Sequence, residues 1–231
     1  MCQSLVGELE EFKRLLKFAD NDFFQISMTF GILNRIAGPV ELVPPLCRTQ
    51  GEFLLVRNSL LVATVIGLGR LYCANPKNPC LPEVMEFFYQ DAFVSAVRKH
   101  YVSLAQSMRP ELFSSNETHF QAKAISEFEG RKSDLKLHWE GVMKSREVSS
   151  VVKLRHKRYA HSDLKKATGK RAKIPDLKFD DLKKVVDETE SLFAAITIMI
   201  YGAGVVANRT FSAPLDLLNA PTVWWEHGPF S

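Results

Sequence analysis

The longest stretch without proline places the strongest constraint on how this chain can fold. It covers residues 111–174, a run of 64 residues, and such a run favours helices because proline breaks or kinks them. The 12 glycines and 11 prolines are too few and too scattered for a collagen-like or linker-dominated protein. A chain of 231 residues with 46% apolar and 24% charged residues is expected to form one globular domain, or at most two small ones.

Apolar periodicity predicts helices along nearly the whole chain. A helix over residues 5–19 is followed by a second from Asn21 or Asp22 to about Ala37, and Thr49 and Glu52 have the spacing of a capping box. Further helices are predicted over residues 49–74, 83–108, 116–142, 148–161 and 179–207, the third of these with an apolar seam at Phe120, Ala124, Phe128, Leu135, Trp139 and Val142. We therefore predict an all-α, up-and-down bundle over residues 1–208 and an irregular tail, residues 209–231, packed by Trp224 and Trp225.

Two apolar stretches raise the question of a membrane span. Residues 191–208 carry no charge, but as a helix they reach about 27 Å, slightly short of a hydrocarbon core of about 30 Å. Residues 53–74 contain Arg57 and Arg70. Both stretches are predicted to be core helices. Since residues 1–12 lack the basic and apolar regions of an export signal, we expect a cytoplasmic protein that does not contact a membrane.

The cysteines give no sign of a metal site. Cys2, Cys47, Cys73 and Cys80 include no C-x-x-C pair, and no His-x-x-x-His spacing accompanies them. We expect no zinc and no cofactor, and we expect these thiols to be small core residues in a reducing compartment.

Positive charge is concentrated in one segment. Residues 151–174 hold nine basic residues and one acidic residue, a net charge of +8, so the rest of the chain carries −4 of the overall +4. Such segregation is typical of a surface that binds a polyanion, although a solvated basic loop has the same composition. Both interpretations are open on charge alone.

An arginine interrupts an apolar helix face in this segment. Val148, Val151, Val152, Arg155 and Tyr159 share one face at helical spacing, so Arg155 lies where a core residue is expected. A guanidinium that faces a packed surface is costly unless it meets a carboxylate or another anion. The pattern therefore predicts either a structural ion pair or a phosphate site.

His161 lies six residues beyond Arg155, which places it about 120° around the helix and about 9 Å along it. The two side chains of one chain cannot easily meet on a single phosphate. Two copies packed about a two-fold axis would bring both pairs together. The alternative is a surface imidazole near a helix carboxyl end, where the dipole favours its cation.

Residues 154–164 read Leu-Arg-His-Lys-Arg-Tyr-Ala-His-Ser-Asp-Leu, in which an arginine and a polar residue precede a histidine. The string resembles the signature of the HEPN superfamily. It is most similar to the AbiU-type abortive-infection branch, whose versions often have a basic stretch followed by Ala-His and a polar residue. The string ends a predicted helix late in an all-α chain, before a basic loop and an apolar helix, and the resemblance extends over residues 5–207.

The resemblance implies a helical bundle that dimerises with its motifs facing each other and, in active members, a metal-independent endoribonuclease. Arg155 would be the motif arginine, His156 the polar residue after it and His161 the motif histidine. In the implied reaction a ribose 2′-hydroxyl attacks the adjacent phosphate. His161 would act as general base or acid, and Arg155 would stabilise the charge of the phosphorane.

The favoured interpretation is a cytoplasmic homodimer that cleaves or binds RNA, as a toxin or a phage-defence component. The predicted RNA-binding residues are Lys153, Lys157, Arg158, Lys165, Lys166, Lys170 and Arg171. The alternative is a catalytically silent helical module whose basic loop binds nucleic acid or an acidic antitoxin.

Overall fold

A computed structural model describes residues 2–36, 50–73, 79–156 and 177–202. Within these ranges the chain forms helices and no strand, which confirms the prediction of an all-α bundle. The helices are α1 (Cys2–Ile36), α2 (Gln50–Leu71), α3 (Leu81–Phe87), α4 (Asp91–Met108), α5 (Pro110–Ser115), α6 (Glu117–Lys144), α7 (Arg146–Leu154) and α8 (Phe179–Tyr201). The predicted tail, residues 209–231, lies outside the described residues.

Helix α1 is continuous, so the predicted break at Asn21 or Asp22 is wrong. Its buried side chains recur every three or four residues on both sides of that point, at Phe12, Leu16, Ala19, Phe23, Ile26, Phe30, Leu33 and Ile36. Asn and Asp inside a helix cost only some tenths of a kcal/mol, about 0.7 at most. Burial of one uninterrupted apolar stripe outweighs that cost, and Asp22 also accepts a hydrogen bond of 2.8 Å from Arg70.

The segment predicted as one helix over residues 83–108 is two helices, α3 and α4. They meet at Phe88, Tyr89 and Gln90, whose amides donate to carbonyls three residues back at 3.0–3.1 Å and so tighten the turn. Here an aromatic cluster forms, with ring centroids 4.8–5.7 Å apart, from Phe12, Phe87, Phe88 and Phe93. Packing of these rings against α1 accounts for the break.

The apolar seam of α6 is confirmed. Asn116 caps the helix by accepting a hydrogen bond of 3.2 Å from the amide of His119. The buried seam residues are Ala124, Phe128, Leu135, Trp139 and Val142. Phe120 is half-buried and lies beside Phe113 of α5, a short helix that begins at Pro110 and that the sequence pattern did not predict.

Helix α8 packs against α4, α6 and α7, and two of its aromatic rings stack on rings of α1. The described part of the uncharged stretch, residues 191–202, includes the buried residues Leu192, Phe193, Ile196, Thr197, Met199 and Ile200, as predicted for a core helix. The helix ends at Tyr201, earlier than the predicted end near Ala207, because Gly202 has a φ of 84°, which does not continue a helix. Residues 203–208 lie outside the described residues.

Helix α2 is buried over its C-terminal half alone, so the prediction of a core helix over residues 53–74 is wrong for its first half. Leu54, Leu55 and Val56 are 39%, 68% and 45% exposed. Among the described helices, α2 is the one with the length and composition to cross a membrane, over Gly51–Leu71; helices of soluble cores can share both properties. Its C-terminal half packs against α1 and α7.

Candidate functional site

The candidate site is positioned by the joint between α6 and α7. Helix α6 ends at Lys144, and Ser145 adopts an extended conformation with φ −67° and ψ 146°. The Ser145 hydroxyl accepts a hydrogen bond of 3.2 Å from the amide of Val148 and so begins α7. From there α7 runs between α2 and α8, with Val148, Val151 and Leu154 buried.

Arg155 follows directly on α7, and the helical backbone continues through Arg155 and His156, which end this described segment. The arginine is half-buried, and its stem lies over Gly69 of α2. A Cβ at position 69 would lie 2.7 Å from Cδ and 2.8 Å from Cβ of Arg155. The stem can occupy this place only because residue 69 is a glycine.

The guanidinium of Arg155 keeps most of its hydrogen-bonding capacity. Its Nη1 donates one long hydrogen bond, 3.4 Å, to the carbonyl of Gly69. Among the described residues, no carboxylate forms an ion pair with Arg155. A guanidinium carries five donors, so the group has the capacity to bind an anion such as phosphate.

His156 is exposed, and its Nε2 lies 3.1 Å from the Sγ of Cys73, with the donor set by the imidazole tautomer. The prediction that the cysteines are core residues is confirmed for Cys80, which is fully buried, and wrong for Cys73, which is half-exposed. Cys47 lies outside the described residues. No local sequence pattern predicts this contact, since Cys73 and His156 are 83 positions apart.

Four residues at the C-terminal end of α2, Gly69, Arg70, Tyr72 and Cys73, each contact another element of the bundle, and we call them the α2 junction. Gly69 and Cys73 contact the two residues that follow α7. Arg70 forms an ion pair of 2.8 Å with Asp22 of α1.

Tyr72 attaches the junction to α8 and α6. Its hydroxyl lies 2.7 Å from Oγ1 of Thr189, which itself donates to the carbonyl of Val185. Tyr72 is therefore the donor in the first bond. Burial raises the pKa of Tyr72 well above its ordinary value, which keeps this donor protonated. The ring of Tyr72 also stacks on Trp139, with centroids 6.2 Å apart.

The other predicted site residues are placed only in part. Lys153 is exposed on α7. The remaining predicted site residues lie outside the described residues; they are Lys157, Arg158, His161, Lys165, Lys166, Lys170 and Arg171. The structure thus brings Arg155 and His156 together at one helix end, with Lys153 exposed on the preceding turn, and the placement of His161 stays a prediction.

A second polar cluster lies near the start of α7. His138 contacts Glu188 at 2.5 Å, and Lys184 pairs with Glu147 at 2.9 Å, around a cavity of about 220 Å³. The hydrogen bond from Lys184 lowers the pKa of Glu147. Across the described ranges, no group of three or more His, Cys, Asp or Glu side chains is arranged to hold a metal ion. The cluster ties α6 and α7 to α8.

A cavity of about 190 Å³ lies at the opposite end of α6 and α8 from α7. Its walls include Leu104, Met108, Phe113 and Gly202, with Arg131 among the charged residues at its border. None of the residues that line this cavity belongs to α7 or the α2 junction. It is therefore separate from the candidate site.

Comparison with known families places the chain in a class. The model of the HEPN family AbiU2 matches residues 9–219, which is most of the chain and includes both Arg155 and His161. The protein belongs to this AbiU2 family of HEPN proteins. No curated protein matches the chain, and no solved structure matches it.

Proposed function

We propose that the protein is a metal-independent endoribonuclease that acts as a toxin or a phage-defence component in the cytoplasm. Its site is composite: Arg155 and His161 of both chains of a homodimer contribute to it, with His156 beside them. The observation that carries the proposal is the placement of Arg155 at the end of α7, half-buried and with no carboxylate partner among the described residues. Membership of an HEPN family supports it.

In the proposed reaction the ribose 2′-hydroxyl attacks the adjacent phosphorus, and the bond to the 5′-oxygen of the next nucleotide breaks. One His161 removes the proton from the 2′-hydroxyl, and the partner subunit's His161 gives a proton to the leaving 5′-oxygen. Arg155 stabilises the added negative charge of the phosphorane through charge-assisted hydrogen bonds. The products carry a 2′,3′-cyclic phosphate and a 5′-hydroxyl, and no metal or cofactor takes part.

The first experiment measures RNA cleavage in EDTA by the wild type, His161→Ala and Arg155→Ala. Loss of a positioned acid–base group should slow cleavage by about 10²- to 10⁴-fold. His119→Ala is the matched control, because His119 is exposed and lies at the far end of α6 from α7. Equal cleavage by His161→Ala and wild type, products with 5′-phosphates, or a need for divalent metal would each refute the mechanism.

The proposed homodimer has its own test, which is sedimentation at micromolar concentration. A stable dimer is expected, since Arg155 and His161 of one chain would be about 120° apart on an ideal helix and would need a second copy to complete a site. A chain that sediments as a monomer while still cleaving RNA would contradict the composite site.

RNA affinity is proposed to depend on the basic residues that follow α7. Changing Lys165, Lys166, Lys170 and Arg171 to Ser should weaken binding to all RNA sequences alike and reduce the salt slope by about 0.7 for each lost phosphate contact. The control carries four serines in place of exposed lysines on α4, α6 and α8, namely Lys99, Lys123, Lys144 and Lys183. A larger loss in the control would place the binding surface elsewhere.

The second candidate function is a catalytically inactive module that binds RNA or an acidic antitoxin. The net charge of +8 over residues 151–174 favours it as well, since this charge needs no chemistry to attract a polyanion. RNA binding by the wild type without any cleavage in EDTA or in Mg²⁺ would select this function.

A further inference from the structure

We propose that Cys73 is a positioning residue for the candidate site, because its thiol fixes the orientation of the His156 imidazole beside Arg155. The proposal rests on the ribonuclease function proposed above. It concerns a contact between Sγ and Nε2 of 3.1 Å that joins the end of α2 to the end of α7.

Two residues of the α2 junction contact the two motif residues separately, one each. Gly69 lies in the last turn of α2, and Cys73 follows two residues after the helix ends, where its amide donates a hydrogen bond of 3.3 Å to the carbonyl of Arg70. Arg155 and His156 are consecutive, so their side chains point about 100° apart. One contact could hold only one of them. Gly69 receives the stem of Arg155, and Cys73 meets His156.

The junction can serve as a fixed support because other contacts hold it. Arg70 is paired with Asp22 of α1, and Tyr72 is hydrogen-bonded to Thr189 of α8 and stacked on Trp139 of α6. Cys73, two residues beyond the end of α2, therefore has a defined position relative to α1, α6 and α8. An exposed histidine that contacts such a point loses much of its rotamer freedom.

The contact ties the imidazole tautomer to the direction of the hydrogen bond: either the thiol donates to Nε2, or a protonated Nε2 donates to Sγ. When the thiol donates to Nε2, the single proton of a neutral imidazole lies on Nδ1, and Nδ1 is then available as a donor. Replacing the thiol by a methyl group removes the hydrogen bond in either case. Since misplacement of a group near the reacting atoms by about 1 Å can cost up to about 10²-fold in rate, the loss should be seen in kcat and leave KM nearly unchanged.

The first measurement is independent of catalysis and uses long-range ¹H–¹⁵N spectra of the histidine side chains in the full chain. His156→Gln identifies the His156 signals. In Cys73→Ala these signals should move, while those of His100, His119 and His138 stay in place. Cys80→Ala is the matched control, because Cys80 is a buried cysteine outside the α2 junction. Unchanged His156 signals in Cys73→Ala would overturn the proposal.

The second measurement compares cleavage of one RNA substrate in EDTA. Cys73→Ala should lower kcat by about tenfold, within the range expected for misplaced groups, and change KM less than twofold. Cys73→Ser, which keeps a group able to donate to Nε2, should restore part of the rate and also serves if Cys73→Ala folds poorly. Equal kcat values for Cys73→Ala and wild type would overturn the proposal.

The two measurements separate this proposal from the proposed function. A wild type without ribonuclease activity would refute the ribonuclease and, with it, the catalytic consequence of Cys73. The histidine spectra would still decide whether Cys73 holds His156. An active ribonuclease with unchanged spectra in Cys73→Ala would refute the positioning role alone.

Discussion

The two halves of α2 both carry several leucines and valines but lie in opposite environments. In the N-terminal half Leu54, Leu55 and Val56 are 39% to 68% exposed, whereas in the C-terminal half Val65 and Leu68 are at most 1% exposed. Both halves are rich in leucine and valine. The comparison shows that apolar composition predicts where this helix lies in the sequence, whereas contacts with neighbouring helices determine which part of the helix is buried.

The buried half is also the half that contacts the candidate site. The junction lies where α1, α7 and α8 converge on α2, and each junction residue has a partner on another element. The exposed half contributes no residue to these contacts. Substitutions in the two halves should therefore differ in stability and in activity, and the predictions below test that difference from the largest effect to the smallest.

The largest difference is expected between Leu68→Ala and Leu55→Ala. Leu68 is fully buried, so its truncation should lower the free energy of unfolding by about 2–5 kcal/mol through lost burial and the cavity left behind. Leu55 is 68% exposed, and its truncation should change stability by less than about 0.5 kcal/mol. Urea unfolding followed by circular dichroism measures both. Similar losses in the two variants would mean that the halves do not differ in packing.

Gly69→Ala should disturb the support of Arg155. The added Cβ would lie 2.7–2.8 Å from the arginine stem, and such overpacking costs about 1–3 kcal/mol. The greater helix propensity of alanine offsets about 1 kcal/mol of this. RNA cleavage should fall together with stability, because Arg155 must move.

Gly141→Ala is the control for that variant. Nothing lies within 4 Å of a Cβ at this exposed position of α6, so alanine should stabilise the protein by up to about 1 kcal/mol. Equal effects of the two glycine substitutions in urea unfolding would show that the contact between Gly69 and Arg155 carries no strain.

Tyr72→Phe should have a smaller effect on stability. It removes the buried hydroxyl that donates to Thr189 but keeps the ring on Trp139, so the expected loss is about 1 kcal/mol. Tyr89→Phe, at a position 48% exposed, should leave the free energy of unfolding nearly unchanged. A loss of several kcal/mol in Tyr72→Phe would mean that the hydroxyl holds more of the junction than its single bond suggests.

The smallest effect is expected for the pair of Arg70 and Asp22. Both side chains are about 40% exposed, at 43% and 39%, and exposed ion pairs contribute at most about 1 kcal/mol. A double-mutant cycle with Arg70→Ala and Asp22→Ala should give a coupling energy in this range that decreases with added salt. Coupling that is insensitive to salt would indicate that the pair is effectively buried.

Local sequence signals predicted the parts of the fold that depend on local chemistry. The cap at Asn116 and the seam of α6 are of this kind, as is the placement of Arg155 on the apolar face of α7. The continuity of α1 was not predicted, because the polar residues at positions 20–22 have the sequence pattern of a helix cap. The apolar stripes before and after these positions are parts of one stripe, and this becomes evident only when both are examined together. The break at Phe88 depends on contacts with Phe12 of α1, which local periodicity does not contain.

The contacts that hold Arg155 and His156 could not be predicted from the sequence either, because they join residues that are far apart in the chain. Arg155 and Gly69 are 86 positions apart. A glycine inside an apolar helix indicates that another segment packs closely against the helix there, but it does not identify that segment. Cys73 belongs to no sequence motif that would mark it as a residue of the site. The motif identified the residues to be held, and the fold was needed to identify what holds them.

The joint at Ser145 has a consequence for insertions and deletions. Ser145 is both the residue after the end of α6 and the cap of α7. The number of residues between Ser145 and Arg155 therefore determines the direction in which the Arg155 side chain points. Adding a single residue within α7 would turn Arg155 by about 100° and move it by about 1.5 Å, away from Gly69. Many substitutions on the exposed side of α7 would leave this arrangement intact. Along this segment the number of residues is therefore more tightly constrained than the identity of most of them.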